Sequence, residues 1–179
     1  MKSINRLRFI EPEEANESTK EVFKKMVIVP NLLSFIANSD ASIGLFGYHN
    51  NNLDKYKLSA KYRELISLAV SQYNNCPYCI ALHTSNAVDN GLLTHQECLE
   101  ARRMKSSDQK MNAISALTRE ILENKGNVRN EIIEKAKQQG FDDQEIIETI
   151  TTISLITQAN YTANLARPEM DSLEPPNLE

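Results

Sequence analysis

From Leu58 to Tyr73 the chain sets Leu58, Tyr62, Leu65, Ile66, Ala69 and Tyr73 at steps of three and four, and the run LISLAV adds apolar residues around most of the remaining circumference. That period belongs to an α-helix with more than one face turned away from water. Apolar residues recur at three and four elsewhere too, instead of alternating, and glycine, with five in all, is scarce. Strands therefore find little support, and the pattern predicts an all-α fold with this segment as its central, buried helix.

Punctuation divides the rest into helices. The EPEE signal, with Pro12 at an early position, predicts a first helix from about Glu13 to Met26, stopped before Pro30. Asn31 to Asn52 reads as one or two short helices. Asn74-Asn75 breaks the central helix, and Pro77, with no amide donor and φ already set, suits the first position of a new helix capped near Cys76 and ending near Asn90-Gly91. Helices follow over about Thr94 to Met104, Ser107 to Lys125 before Gly126, Val128 to Gln139 before Gly140, and Asp143 to Ala166. In the last, Ile146, Ile150, Ile153 and Ile156 form an apolar stripe, with Asn160 and Asn164 one turn apart beyond it, suited to capping a neighbouring helix or facing a subunit. The acidic, proline-bearing tail RPEMDSLEPPNLE is expected to dock loosely or move. With no repeat and no linker, residues 1–179 form one domain, with a core motif at 58–90, an N-terminal helical part at 1–55 and a C-terminal helix and tail at 143–179.

At 179 residues such a domain buries a core without covalent or metal staples, so size does not demand the three cysteines. A net charge of −4 gives no basic surface for nucleic acid. The N-terminus lacks a signal-peptide pattern and no apolar run approaches the length of a membrane span, which predicts a cytoplasmic protein with no membrane partner. In a reducing compartment a Cys-x-x-Cys pair is more often redox-active or metal-binding than a structural disulfide.

That pair lies in NNCPYCIALHT. With Cys76 as cap, Cys79 is three residues in and His83 one turn further, so one face carries two thiols and a base. Cα atoms about 5–6 Å apart at this spacing can close a disulfide with little movement. The helix N-terminus stabilises a thiolate and a protonated His83 adds to that; Cys79, the closer to His83 in sequence, is the candidate nucleophile. Lowering a thiol pKa from about 8.5 to about 6.5 raises its thiolate fraction at neutral pH about 25-fold, but lost nucleophilicity removes about tenfold. A fast thiol enzyme must therefore orient its substrate and protonate the leaving group. His83 is one such acid, and Glu64, at the mouth of the most apolar run, is the carboxylate that could hold and resupply it.

Rival readings are weighed against this one. Two free cysteines can pack as small hydrophobes. A zinc site would use the pair with His83, completed by Cys98 or His95, although such sites usually sit in loops. Haem attachment needs His directly after the second Cys, where the chain has Ile80, and a thioredoxin domain needs a strand, not a helix, leading into the motif. His49 and His95 have no evident partners, Cys98 reads as a packing residue, and Tyr48 and Tyr78 as space-filling ones.

Glu64, twelve intervening residues and then Cys76-x-x-Cys79-x-x-x-His83 give a segment that resembles the alkylhydroperoxidase D-like (AhpD-like) branch of the carboxymuconolactone decarboxylase superfamily. The extended N-terminal part and QANYTANLARPEMD look like its longer, peroxidase-related members. The resemblance implies an all-helical fold assembled as homotrimers or homohexamers and a thiol peroxidase cycle of the peroxiredoxin kind, or a related disulfide exchange. Carried over by position, Cys79 is the peroxidatic thiol, Cys76 the resolving thiol, and His83 with Glu64 the proton relay. Where some members have a second histidine between the cysteines this chain has Tyr78, and the decarboxylases proper lack the cysteine pair. The expected activity is reduction of a hydroperoxide in antioxidant defence, without a cofactor, with a dithiol protein or small thiol as reductant. The alternatives are a redox sensor or disulfide-relay adaptor that is not an enzyme, and a zinc-stabilised helical module.

Overall fold

In a computed structural model that describes residues 6–26, 29–171 and 178, the chain is helical throughout, with no strand among the described residues. In order come α1 (Glu17–Phe23), α2 (Asn31–Ile36), α3 (Asp40–Asn50), a short 3-10 turn (Leu53–Lys55), α4 (Ala60–Tyr73), α5 (Pro77–Asp89), α6 (His95–Arg102), α7 (Gln109–Asn124), α8 (Asn130–Gln138) and α9 (Asp143–Ala166). The all-α expectation holds.

The central helix is α4. Leu65, Ile66, Leu68, Ala69 and Val70 are fully buried, and α5, α6, α7 and α9 all pack against it. Seven consecutive buried positions, Leu65 to Ser71, mean that surface is lost to water around the whole helix and not along one stripe. Tyr73, at its end, is nearly half exposed and does not continue the buried face.

Two apolar clusters flank α4. One joins it to α6, α7, α8 and the first half of α9, and includes Met111, Ile114, Leu117, Phe141 and Cys98. The other gathers Phe23, Leu32, Leu33, Ile36, Ile43 and Phe46 from α1–α3 around Cys76, Tyr78 and Cys79 of the α5 start and Ala159 and Ala163 of α9. The N-terminal helices thus form a cover over the segment that bears the cysteine pair.

Local chemistry accounts for the boundaries and for the departures from expectation. Helix α1 starts later than the EPEE signal suggests: the amides of Glu14 and Ala15 both donate to the Glu11 carbonyl, closing a turn, and Asn16 then caps the helix by accepting from the Thr19 amide at 2.9 Å. Asn31 to Asn52 divides into two helices because Ser39, extended, caps the second. Capping boxes open α6 (Thr94 with Glu97) and α9 (Asp142 with Glu145). At the end of α7 both Lys125 and Gly126 adopt left-handed backbone, so the glycine follows a cap already made by the lysine. In α9 Ile153 and Ile156 are buried and Ile146 packs beside them, but Ile150 is 41% exposed. Thr149 and Thr152 take its place on the inner face, each satisfying its hydroxyl on the carbonyl four residues back.

Phe141, 1% exposed, packs edge-on to Tyr62 at a ring separation of 5.1 Å under the Lys110 ammonium. Phe141→Ala is expected to cost about 3–5 kcal/mol of unfolding free energy, read as a lower urea midpoint with an unchanged slope.

Candidate active site

The helix break at Asn74-Asn75 is a built turn. Asn74 ends α4, Asn75 takes a left-handed φ of 50°, a conformation asparagine tolerates well, and the Cys76 amide donates to the Ser71 carbonyl at 2.9 Å. Cys76 is the N-cap of α5, its Sγ accepting from the Cys79 amide at 3.4 Å, with Pro77 in the first helical position. The sequence reading of this corner holds residue by residue.

Helix α9 clamps the corner from behind. Asn160, fully buried, donates from Nδ2 to Ser71 Oγ at 3.1 Å and accepts at Oδ1 from Asn74 Nδ2 at 3.0 Å, while Asn164 Nδ2 donates to the Asn74 carbonyl at 3.0 Å. Asn164 thus caps the end of a neighbouring helix, as expected, whereas Asn160 bonds side chains of that helix and caps nothing. Asn160 also lowers the pKa of both thiols of the pair. Tyr78, 5% exposed, has a larger role than filling space: its hydroxyl accepts from the Leu32 amide at 3.1 Å and donates to Asp171, whose carboxylate also accepts from the Asn31 amide. The tail is docked at least as far as Asp171; residues 172–177 and 179 lie outside the described residues.

Glu64 and His83 meet across α4 and α5. His83 Nδ1 lies 2.8 Å from Glu64 Oε2, and Asn86 Nδ2 donates to Glu64 Oε1 at 2.6 Å, so both carboxylate oxygens are engaged. The two side chains are only 17% and 14% exposed. With the carboxylate as acceptor the ring carries its proton on Nδ1, which leaves Nε2 for other chemistry.

Cys79, His83, Glu64 and Asn86 line one cavity of about 710 Å³, together with apolar side chains from α2, α3, α5 and α9. Cys76 does not line it and lies behind Cys79. All three cysteines are free thiols, and Cys76 and Cys79 are 0% and 1% exposed. The pair shares its protons unequally. The hydrogen bond from the Cys79 thiol, then the Cys79 amide, the His83 charge and Asn160, hold Cys76 below the ordinary thiol range against the opposing effect of burial. The same hydrogen bond, then burial and the Cys76 charge, push Cys79 up. Thiolate stabilisation by the helix start thus falls on Cys76, whereas the opening toward the cavity belongs to Cys79.

Of the other residues weighed, Cys98 is buried in the opposite cluster with burial pushing its thiol up to about 11, and His95 is exposed at the start of α6. Neither comes to the pair, and among the described residues no three His, Cys, Asp or Glu side chains converge as metal ligands. His49 does have a partner: its Nδ1 lies 3.0 Å from the Tyr56 hydroxyl and it lines the cavity. The sequence held no signal for this, because the contact depends on how α3 packs.

An ultraviolet titration of thiolate absorbance checks the unequal pair. Native protein is expected to form one thiolate at pH values below the ordinary thiol range, lost as pH falls through the lowered Cys76 pKa. Cys76→Ser is expected to form none there.

Residues 43–123 match the model of the carboxymuconolactone decarboxylase family. No curated protein matches the chain significantly. Among solved structures, an uncharacterised peroxidase-related protein from Silicibacter sp. TM1040 shares the fold at a TM-score of 0.75 and 19% identity over 97% of this chain and 94% of its own. An uncharacterised peroxidase-related protein with an alkylhydroperoxidase AhpD core, from Ralstonia eutropha JMP134, gives 0.77 and 20% over 94% of each chain. A protein of unknown function from Agrobacterium tumefaciens, offered as a candidate antioxidant defence protein AhpD, gives 0.65 and 19% over 76% of this chain and 94% of its own. No described helix is long and apolar enough to cross a membrane. The family match runs from α3 to α7 and takes in Glu64, both motif cysteines and His83, and the solved structures share the all-helical fold of this chain.

Proposed function

We propose that the protein is a thiol peroxidase that reduces an organic hydroperoxide at Cys79, with Cys76 as resolving thiol and His83 and Glu64 as proton relay. The observation that carries this reading is that Cys79 and the His83–Glu64 pair line the same cavity while Cys76 caps the helix directly behind Cys79.

In the first step the Cys79 proton passes along its hydrogen bond to the Cys76 thiolate, and the Cys79 sulfur attacks the terminal oxygen of ROOH. The O–O bond breaks, a protonated His83 gives its proton to the departing RO⁻, and the products are ROH and the Cys79 sulfenic acid. Glu64 holds the imidazolium through Nδ1, and solvent restores its proton. In the second step the Cys76 sulfur attacks the sulfenic sulfur, an S–S bond forms and water leaves with the Cys76 proton. A dithiol then reopens the disulfide by exchange. The sum is ROOH plus a dithiol giving ROH, water and the oxidised dithiol.

Cavity size and wall chemistry favour an organic over an inorganic peroxide: about 710 Å³ lies within the range of drug-sized ligand sites. The outer face of α9, with Ile147, Tyr161 and Leu165 each more than half exposed, suits self-association, in keeping with a homotrimer or homohexamer. The near-complete burial of both sulfurs favours a second reading, a slow redox sensor or disulfide relay, which turnover rate separates from an enzyme.

The test is steady-state loss of cumene hydroperoxide with excess dithiol. Native protein is expected to turn over, Cys79→Ser to fall to the dithiol background, Cys76→Ser to lose multiple turnover, and Glu64→Gln to slow by more than about tenfold. If native protein and all three variants match the background, the peroxidase reading is wrong.

A further inference from the structure

The cavity holds a cation that the peroxide chemistry does not use. Helix α4 turns Ala60, Arg63, Glu64 and Ser67 into it, the positions of one helical face. Glu64 is engaged by His83 and Asn86. Arg63 is not matched in this way: it donates from Nη1 to the Leu58 carbonyl at 2.5 Å and lies 5.1 Å from the centre of the Tyr56 ring, and no carboxylate among the described residues pairs with it. A guanidinium carries its charge at every physiological pH and presents several donors in a fixed fork, most of them here without a protein acceptor. Its charge is felt inside the cavity, where burial first and Arg63 second hold the neighbouring His49 imidazole below its ordinary value.

Position along the helices sets the distance from the thiol. Ser71 meets Cys76, and Glu64 meets His83 and Asn86, so α4 and α5 run antiparallel and Arg63 lies level with His83 to Asn86 or beyond. At 1.5 Å per residue that is roughly 6–10 Å from Cys79 along the α5 axis. The wall around this span is apolar, with Leu33, Phe46, Leu82, Leu155 and Ile156. One end therefore offers a thiol and an acid, the other a matching site for a negative charge, with hydrophobic surface between.

We propose that Arg63 selects the substrate: an amphipathic organic hydroperoxide bearing a carboxylate, its anion bound by the guanidinium and its hydroperoxide presented to Cys79. This rests on the peroxidase reading. The reaction gives the corresponding hydroxy acid, with water and the oxidised dithiol as the other products.

A matched pair tests it: cumene hydroperoxide bearing a para-carboxylate, and its neutral para-carboxamide, which span the distance equally. The quantity read is the ratio of their kcat/KM values, which a general loss of packing at Arg63 would not shift selectively. Native protein is expected to favour the carboxylate by about tenfold, the scale of one charge-assisted hydrogen-bonded pair. Arg63→Gln is expected to bring the ratio near one, and Arg63→Lys, which keeps the charge, to retain a preference. A native ratio near one, or a ratio that survives Arg63→Gln, overturns the proposal. Calorimetric binding of the carboxylate-bearing tertiary alcohol, the reaction product, separates the two readings. If no hydroperoxide turns over but native protein binds this alcohol about tenfold more tightly than Arg63→Gln does, the anion site stands and the peroxidase reading falls. Equal binding overturns the anion site whatever the turnover.

Discussion

The buried amide of Asn160 holds the site together. It ties α9 to Ser71 near the end of α4 and to Asn74 in the turn that leads into the cysteine pair at the start of α5. A side-chain amide with no solvent access must find partners within the protein, and each one it finds fixes the relative position of two helices. The register of α9 on the α4–α5 corner is thereby set by polar chemistry in a region where small residues, Ala159 and Ala163, would otherwise let the helix slide.

With that corner fixed, the remaining geometry follows from helical periodicity. Cys79, Leu82, His83 and Asn86 share one face of α5, and Arg63, Glu64 and Ser67 share one face of α4, so antiparallel packing brings a thiol, an imidazole and a carboxylate to a single wall. The N-terminal helices supply the opposite wall. Their attachment is partly polar, since Tyr78 reaches from between the two cysteines to the Leu32 amide and to Asp171 of the tail. Chain ends far apart in sequence are both anchored on the residue between the thiols.

The fold class, the helix borders around the motif and the meeting of Glu64 with His83 were legible because each follows from local chemistry: spacing on one helix, a proline at a helix start, two helices joined by a short turn. What the sequence hid depended on packing between distant segments. His49 gained a partner only when α3 came to lie beside the 3-10 turn before Tyr56. Ile150 lost its place on the inner face because threonines that bond their own helix backbone are as easily buried as isoleucine. The EPEE start was misread because a turn and a first helical turn begin with the same residues, and it was the Asn16 cap further on that decided between them. The preference of the helix start for Cys76 over Cys79 was hidden for a different reason, since it turns on which sulfur accepts the amide.

That last feature bears on how oxidation and order are linked. The Cys76 sulfur that receives the Cys79 amide is the same atom that any bond to Cys79 Sγ would occupy. A negatively charged sulfur is a strong acceptor at a helix start and a divalent sulfur a weak one, so joining the pair would leave the first turn of α5 without the cap that a Cys76 thiolate provides. Reduction restores it. The dithiol form is the better-capped form, so a disulfide closed between these two sulfurs would be reduced more readily than one whose closure left the helix start unchanged.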